Sequence, residues 1–145
     1  MINTKYFKEE LKAGGMLTCP CGCDAKMDKR TIEKLDIARH NYGKPVYIAQ
    51  GATCASYSIE SVGRAPTSTH IDDGSGAKGI DIKSKSFKNK ADYFHFLSCV
   101  INAGFTGIGQ GAMWIGAGKD KRLHIDTKHG ISGDMRSWVY GVGLH

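Results

Sequence analysis

Two histidines and one aspartate, in three separate segments of the chain, are of the residue types that bind metal ions. His70 lies in TSTHIDDGSG, Asp81 in AKGIDI and His124 in RLHIDT. A catalytic zinc site typically uses three such protein ligands and leaves a fourth position open. The residue types therefore predict a metal site, although a histidine on a strand is often only a structural hydrogen-bonding residue.

The segment RLHIDT places a second acidic residue beside one of these histidines. Side chains alternate between the two faces of a strand, so His124 and Asp126 share one face while Leu123 and Ile125 face the core. A carboxylate here has two chemical uses. It is a general base for a metal-activated water, or it orients the histidine through a hydrogen bond. The sequence leaves both roles open.

Five cysteines are present, and three of them form the motif CPCGC at Cys19, Cys21 and Cys23. Cys54 and Cys99 stand alone. The odd number does not match a disulfide framework, and the one-residue gaps differ from the two-residue gaps usual in zinc knuckles. We therefore favour a structural tight turn over a metal site for the motif. We expect Cys99 to be a small core residue of an apolar helix.

The length and composition fit one domain covering residues 1–145. Hydrophobic residues make up 41% of the chain and charged residues 23%, which is typical of a folded protein rather than a disordered one. No apolar run approaches the ~18 residues that span a bilayer. The opening MINTKYFKEELKAGG lacks the apolar core of a secretory signal, so we expect synthesis in the cytoplasm and no membrane span.

The net charge of +6 favours contact with polyanions, among them nucleic acid, anionic lipid and the phosphate-rich polymers of a cell wall. The basic residues are scattered apart from a modest run at Lys83, Lys85, Lys88 and Lys90. No helix-turn-helix, zinc-finger or aromatic stacking motif accompanies that run. We therefore expect no specific nucleic-acid partner, and a monomer is the expected state for a chain of this size.

Helix and strand signals alternate along the first half of the chain. A first helix is predicted from Asp28, as N-cap, to Gly43, and a buried strand follows in PVYIAQ. Residues 51–78 are predicted to be mostly loop, with GIDI at residues 79–82 as a short strand. Within that loop, the aspartates of DDGSG are of the type that forms turns.

A second helix is predicted from about Asn89, its N-cap, to Ala103, with Gly104 ending it. Its buried stripe is predicted to be Phe94, Leu97 and Ile101, flanked by Tyr93, Phe96 and Val100. Three strand candidates follow the helix, namely TGIGQG, AMWIG and RLHIDT. Short glycine-bounded strands after a helix predict an α+β fold with a small antiparallel sheet packed against helices.

Four segments, in order, carry a resemblance to a known family. They are YFKEEL…LTCPCGCDAKMDKRTIEKLDIAR, GKPVYIAQGATC, STHIDDGSGAKGIDI, and AGFTGIGQG followed by LHIDT. Together with a late tryptophan, Trp138, they resemble the zinc D-Ala-D-Ala carboxypeptidase and L-alanoyl-D-glutamate peptidase family. That family includes phage endolysins and shares its metal scaffold with hedgehog domains, so the resemblance implies a hedgehog- and DD-peptidase-like fold.

The resemblance implies a zinc metallopeptidase that hydrolyses peptidoglycan stem peptides, either as a DD-carboxypeptidase or as an endopeptidase of the phage endolysin type. His70, Asp81 and His124 match the family's zinc ligands. Asp126 matches the acid of the H-x-D strand. Asp120, four residues before His124, is its rival as general base, because relatives carry an activating acid shortly before this histidine. The enzyme would act on the cell wall after a phage-type release, where anionic polymers are further partners.

Two features depart from the family pattern. The step from His70 to Asp81 is eleven residues where the family usually has seven, and four extra residues fit a surface loop at little entropic cost. Thr53 stands where the family commonly has an arginine that holds the substrate carboxylate, and Arg64 is the candidate substitute. The alternatives to a peptidase are a non-catalytic zinc-binding cell-wall module and a basic nucleic-acid-binding protein with structural histidines.

Overall fold

In the computed structural model, which describes residues 2–129 and 134–142, two α-helices and five β-strands form an α+β fold. The helices are α1 (Lys29–Tyr42) and α2 (Lys90–Ala103). The strands are β1 (Ile48–Gln50), β2 (Gly79–Ile82), β3 (Gly107–Gly111), β4 (Leu123–Asp126) and β5 (Arg136–Tyr140). The α+β class predicted from the sequence is confirmed.

Both helices begin and end at the capping residues that the sequence predicts. The Asp28 carboxylate accepts a hydrogen bond from the backbone N–H of Thr31, and the Asn89 side chain caps α2 in the same way. Gly43 and Gly104 adopt the left-handed conformation that closes a helix at low cost. No helix in the described part of the chain is both long enough and apolar enough to cross a membrane.

The buried face of α2 differs from the predicted one. Phe94 and Ile101 are 45% and 43% exposed, so the predicted stripe is wrong at both positions. The helix is rotated because Tyr93 stacks on Trp114, with ring centroids 4.2 Å apart, and donates a hydrogen bond to Gln110 on β3. The residues of α2 that are buried against the core are Tyr93, Phe96, Leu97, Cys99, Val100 and Ala103.

The five strands form one sheet in the order β1-β2-β4-β3-β5. The pairs β1–β2, β2–β4 and β4–β3 are antiparallel, as predicted, but β3 and β5 run parallel. The expectation of a wholly antiparallel sheet is therefore wrong at one edge. A parallel neighbour requires a crossover connection rather than a hairpin, and β4 lies between β3 and β5 in the chain.

Two connecting segments also differ from prediction. AMWIG is not a strand, since Ala112–Ile115 forms a 3₁₀ turn that Gly116 ends in the left-handed conformation. Trp114 is buried against Tyr93 of α2 and against Phe87, and this burial explains the apolar, strand-like composition of the segment. Within the segment predicted as loop, Tyr57–Ser61 forms a short π-helical turn.

The two faces of the sheet have different compositions. Ile80 of β2, Ile108 of β3 and Ile125 of β4 are at most 2% exposed and belong to one core that includes the buried faces of α1 and α2. Alternation along each strand turns the intervening residues to the opposite face. Asp81 and His124, both predicted as metal ligands, therefore share that opposite face.

Candidate metal centre

The structure brings the three predicted ligands together. Asp81 and His124 are directly opposite each other on β2 and β4, and His70 approaches from the segment before β2. The Asp81 Oδ1 atom lies 3.1 Å from His70 Nε2 and 3.0 Å from His124 Nδ1. Both histidines are buried, whereas the side chain of Asp81 is 33% exposed. The group is therefore closed on the protein side and open to solvent at the carboxylate.

The second ring nitrogen of His70 is held by the backbone. Its Nδ1 atom lies 2.9 Å from the carbonyl oxygen of Gly51, which can only accept, so Nδ1 carries the proton. Thr53 fixes the backbone of the same residue, because its N–H and its hydroxyl both donate to the His70 carbonyl, at 2.7 and 3.0 Å. Consequently, the unprotonated Nε2 of a neutral His70 points at Asp81.

His124 is oriented by a buried carboxylate. Its Nε2 atom lies 2.8 Å from Asp126 Oδ2, and Asp126 has no exposed surface. The other carboxylate oxygen accepts hydrogen bonds from the backbone N–H of Lys128 and from Arg136 Nη2. A neutral His124 therefore donates from Nε2 and turns the lone pair of Nδ1 toward Asp81. This geometry favours the orienting role for Asp126 over the role of general base.

In the neutral histidines, the lone pairs of His70 Nε2 and His124 Nδ1 thus both point toward the Oδ1 atom of Asp81. Three acceptors facing one another repel unless a cation lies between them or each ring takes a second proton. Four-coordinate zinc with ligand bonds of about 2.0–2.1 Å would place ligand atoms about 3.3 Å apart. The observed separations from Asp81 Oδ1, 3.1 Å to His70 and 3.0 Å to His124, are close to that value. The donor set and its spacing fit zinc.

The electrostatics favour the charged forms of Asp81, His124 and Asp126. Burial alone would raise the pKa of the Asp81 carboxyl, but hydrogen bonds from His124 and His70 hold that pKa well below its usual value. Burial alone would lower the pKa of His124, but Asp126 and Asp81 raise it above its usual value. Burial likewise opposes ionisation of Asp126, yet the hydrogen bond from His124 and the backbone N–H of Lys128 lower its pKa.

Glycines on β3 leave the space that the site occupies. Gly107 is opposite Asp126, and a Cβ atom there would lie 2.3 Å from both carboxylate oxygens. Gly109 is opposite His124 on one side and Trp138 of β5 on the other, and a Cβ there would lie 2.7 Å from the Trp138 ring. Trp138 can therefore reach across β3 to within 5.4 Å of the His124 ring, measured between centroids. Residues 107 and 109 are therefore both glycine because Asp126 and Trp138 occupy the space that a side chain at these positions would need.

Asp120 is not among the residues gathered at the centre. Its carboxylate is bound by Arg122, whose Nη2 lies 2.6 Å from Asp120 Oδ2, and this hydrogen bond lowers the pKa of Asp120. The Arg122 guanidinium in turn stacks 4.0 Å above the Tyr140 ring. Among the described residues, Asp120 is therefore paired with Arg122 and is not part of the group formed by His70, Asp81 and His124.

Arg64 lies beside the metal centre, as its candidate role requires. Its Nη2 atom is 3.6 Å from Asp81 Oδ2 and donates to the side chain of Gln50. Its Nη1 atom is buried and has no hydrogen-bond partner among the described residues. Thr53, by contrast, is fully buried and is used to hold His70. The guanidinium that lies beside the three predicted ligands is therefore that of Arg64.

A second group of potential ligands consists of thiols. Cys19, Cys21, Cys23 and Cys54 offer sulfur atoms that all lie within 4.8 Å of one another. The predicted tight turn in CPCGC is present, but it coexists with this cluster rather than excluding it. Sequence reasoning missed Cys54 as a member because it lies 31 positions after Cys23 in the chain. Cys99 is buried in α2, as predicted.

Comparisons with family models, with curated proteins and with solved structures gave no match to this chain. The site therefore rests on its own geometry. Two candidate metal-binding groups are present among the described residues, and their donor sets are compatible with a metal such as zinc.

Proposed function

We propose that the protein is a zinc-dependent peptidase that hydrolyses peptidoglycan stem peptides. The observation that carries the proposal is the convergence of His70 Nε2, His124 Nδ1 and Asp81 Oδ1 at mutual distances that fit one metal ion. Two histidines and one carboxylate, with a solvent-exposed side, form the ligand type of hydrolytic zinc sites. The substrate class follows from the resemblance of the chain to cell-wall peptidases, and the net charge of +6 suits an anionic wall.

The residues around the three ligands have separable roles in this proposal. Zinc would supply Lewis-acid activation of the scissile carbonyl and of the attacking water. Asp126 holds His124 in the tautomer that leaves Nδ1 free, and the Gly51 carbonyl holds His70 in the tautomer that leaves Nε2 free. Arg64 is the residue that would bind a substrate carboxylate, because its guanidinium lies beside the centre, with Nη2 3.6 Å from Asp81 Oδ2.

Proton transfer falls to Asp120, since Asp126 is fully buried and engaged on both oxygens. On substrate binding, Asp120 exchanges its ion pair with Arg122 for the attacking water. It accepts the proton of that water and passes it to the leaving amine as the peptide bond breaks. The released Arg122 remains stacked on Tyr140.

One observation favours a second candidate, a non-catalytic zinc-binding cell-wall module. In the described residues Asp120 is bound to Arg122 and contacts none of the three ligands. If that ion pair persists with substrate, no carboxylate is free to take the proton. Asp120→Asn separates the two candidates, because a peptidase should lose about 10²–10⁴-fold in kcat without losing metal. A binding module should hold wall fragments equally well in either form.

The direct test of the proposal is digestion of purified peptidoglycan by the zinc-loaded protein, with and without a chelator. New amino and carboxyl ends are then identified by mass spectrometry. We expect release that stops with the chelator, returns with zinc, and is absent in His124→Ala. Release unaffected by His124→Ala would rule out this centre as the catalytic one. The position of the new ends distinguishes carboxypeptidase from endopeptidase.

A further inference from the structure

The cysteine cluster is a second group of ligand atoms away from the histidine centre. The Sγ atom of Cys19 lies 3.3 Å from that of Cys21 and 3.9 Å from that of Cys54, and Cys21 and Cys54 are 3.7 Å apart. Cys23 is within 4.8 Å of all three. All four thiols are free. Zinc–sulfur bonds of about 2.3 Å in a tetrahedron place sulfur atoms about 3.8 Å apart.

The chain builds this cluster from one tight turn and one distant segment. Gly22 has φ +83°, and its N–H donates to the Cys19 carbonyl at 3.0 Å, so the CPCGC motif folds back on itself. Leu17 anchors the second segment: its carbonyl accepts from the Ala52 N–H at 3.2 Å, and its side chain packs directly on Gly51. This pairing places Cys54 against the turn, although it lies 35 positions after Cys19 in the sequence.

Backbone donors already face the sulfur atoms. The N–H of Cys54 lies 3.4 Å from the Cys19 Sγ atom, and the N–H of Tyr57 lies 3.4 Å from the Cys54 Sγ atom. Such bonds stabilise negative charge on sulfur, and outer partners of this kind orient ligands in metal sites. A turn that served only to reverse the chain would need none of them.

We propose that Cys19, Cys21, Cys23 and Cys54 bind a structural zinc ion, separate from the centre formed by His70, Asp81 and His124. Four thiolates complete a tetrahedron and leave no position for water or substrate, which is the pattern of a structural site. Binding releases the thiol protons to solvent as the four zinc–sulfur bonds form. The inference stands whether or not the histidine centre is catalytic.

The position of the thiolate site gives it a role in holding His70. Cys54 directly follows the segment in which Gly51 and Thr53 make three hydrogen bonds to His70. The hydrogen bond from the Ala52 N–H to the Leu17 carbonyl already holds the segment Gly51–Thr53. A zinc ion that joins Cys54 to the CPCGC turn would hold the residue that directly follows this segment as well. Loss of the thiolate zinc should therefore loosen His70 without removing any ligand of the histidine centre.

The test is metal content of the reduced, full-length protein after loading with zinc and removal of excess metal. The informative variant is Cys21→Ser/Cys23→Ser, because both side chains are exposed and their replacement disturbs no core packing. Cys99→Ala is the control, because Cys99 is a buried cysteine outside the cluster. Cobalt substitution of the wild type gives an independent readout, because cobalt bound by thiolates shows sulfur-to-metal charge-transfer absorption.

The expected contents are two zinc ions in the wild type and in Cys99→Ala, and one in the double variant. His70→Ala should also bind one zinc ion, and its cobalt form should keep the charge-transfer absorption. One thiolate-bound zinc in both wild type and His70→Ala would support the thiolate site while contradicting the proposed peptidase. Absence of the thiolate absorption in the wild type would overturn the inference, as would disulfides among these cysteines in freshly purified protein. Iron or copper on the thiols instead of zinc would overturn it equally.

Discussion

The direction of the ring nitrogens decides what the central residues can do. His70 and His124 each give one nitrogen to an acceptor in the protein and turn the other toward the same Asp81 oxygen. The residue types in TSTHIDDGSG and RLHIDT indicated ligands, but not which nitrogen faces the metal. The Gly51 carbonyl selects the free nitrogen of His70, and Asp126 selects that of His124. Strand alternation predicts that Asp126 lies beside His124, but no sequence pattern predicts the contact between Gly51 and His70.

We predict that Asp126→Asn weakens zinc binding at the histidine centre by about 10- to 100-fold. The amide removes the charge that favours the required tautomer of His124 and leaves Arg136 without its carboxylate. Competition with a chromogenic chelator measures the affinity, and thermal unfolding checks that the variant is folded. Asp120→Asn is the control, since that carboxylate contacts Arg122 and none of the ligands. Equal loss in both variants would argue against the orienting role.

The ends of helices could be predicted from the sequence, whereas the pairing of distant strands could not. Asp28 and Gly43 were predicted correctly as helix boundaries because caps act within a few residues of themselves. The phase of α2 was mispredicted because apolar residues cover two neighbouring stripes of the helix. Only the contact between Tyr93 and Trp114 selects one of them. The parallel pairing of β5 with β3 has no local signature.

The glycines of β3 carry a prediction at this scale. Gly107→Ala should destabilise the protein by about 1–3 kcal/mol, because the added methyl group meets the buried Asp126 carboxylate at 2.3 Å. Urea unfolding measures the change. Ser137→Ala on the exposed part of β5 is the control, expected within about 0.5 kcal/mol of wild type. An unchanged unfolding midpoint for Gly107→Ala would mean that the carboxylate does not pack against this strand.

Asp72 carries a pH-dependent prediction. Its carboxylate accepts hydrogen bonds from the backbone N–H groups of Lys26, Gly74 and Gly76, joining the loop before β2 to the segment that follows the cysteines. Burial opposes ionisation, but these bonds lower the pKa of Asp72 below its usual value. A lowered folded-state pKa gives stability that is complete above the unfolded-state pKa of about 3.9 and is lost as pH falls through the folded value.

Asp72→Asn should therefore cost about 1 kcal/mol at neutral pH, because the carboxylate is partly solvated. The difference in urea midpoint between wild type and variant should shrink as the pH is lowered below about 4, where the Asp72 carboxyl of the unfolded chain is protonated, and should vanish once the folded-state carboxyl is protonated too. Asp24→Asn, in an exposed position of the same region, should show no such difference at either pH. If the difference in urea midpoint between wild type and Asp72→Asn became larger at low pH, the ionised carboxylate would not be the form that these hydrogen bonds stabilise.

At the scale of the whole molecule, one sheet face carries the histidine centre and the other builds the core. The predicted ligands were found from residue type and family resemblance, which require no knowledge of the fold. The cysteine cluster was not, because CPCGC lacks zinc-knuckle spacing and its fourth member arrives through the Ala52–Leu17 pairing. The segment Gly51–Cys54 connects the two groups of candidate metal ligands.

We propose that His70, Asp81 and His124 bind zinc. The most direct measurement is zinc content in the Cys21→Ser/Cys23→Ser background, where the histidine centre is the remaining cluster of potential ligands in the described residues. We predict one tightly bound zinc ion per chain in this background, and none after His124→Ala is added. Absence of zinc from the background protein, or an equal zinc content with and without His124, would contradict it.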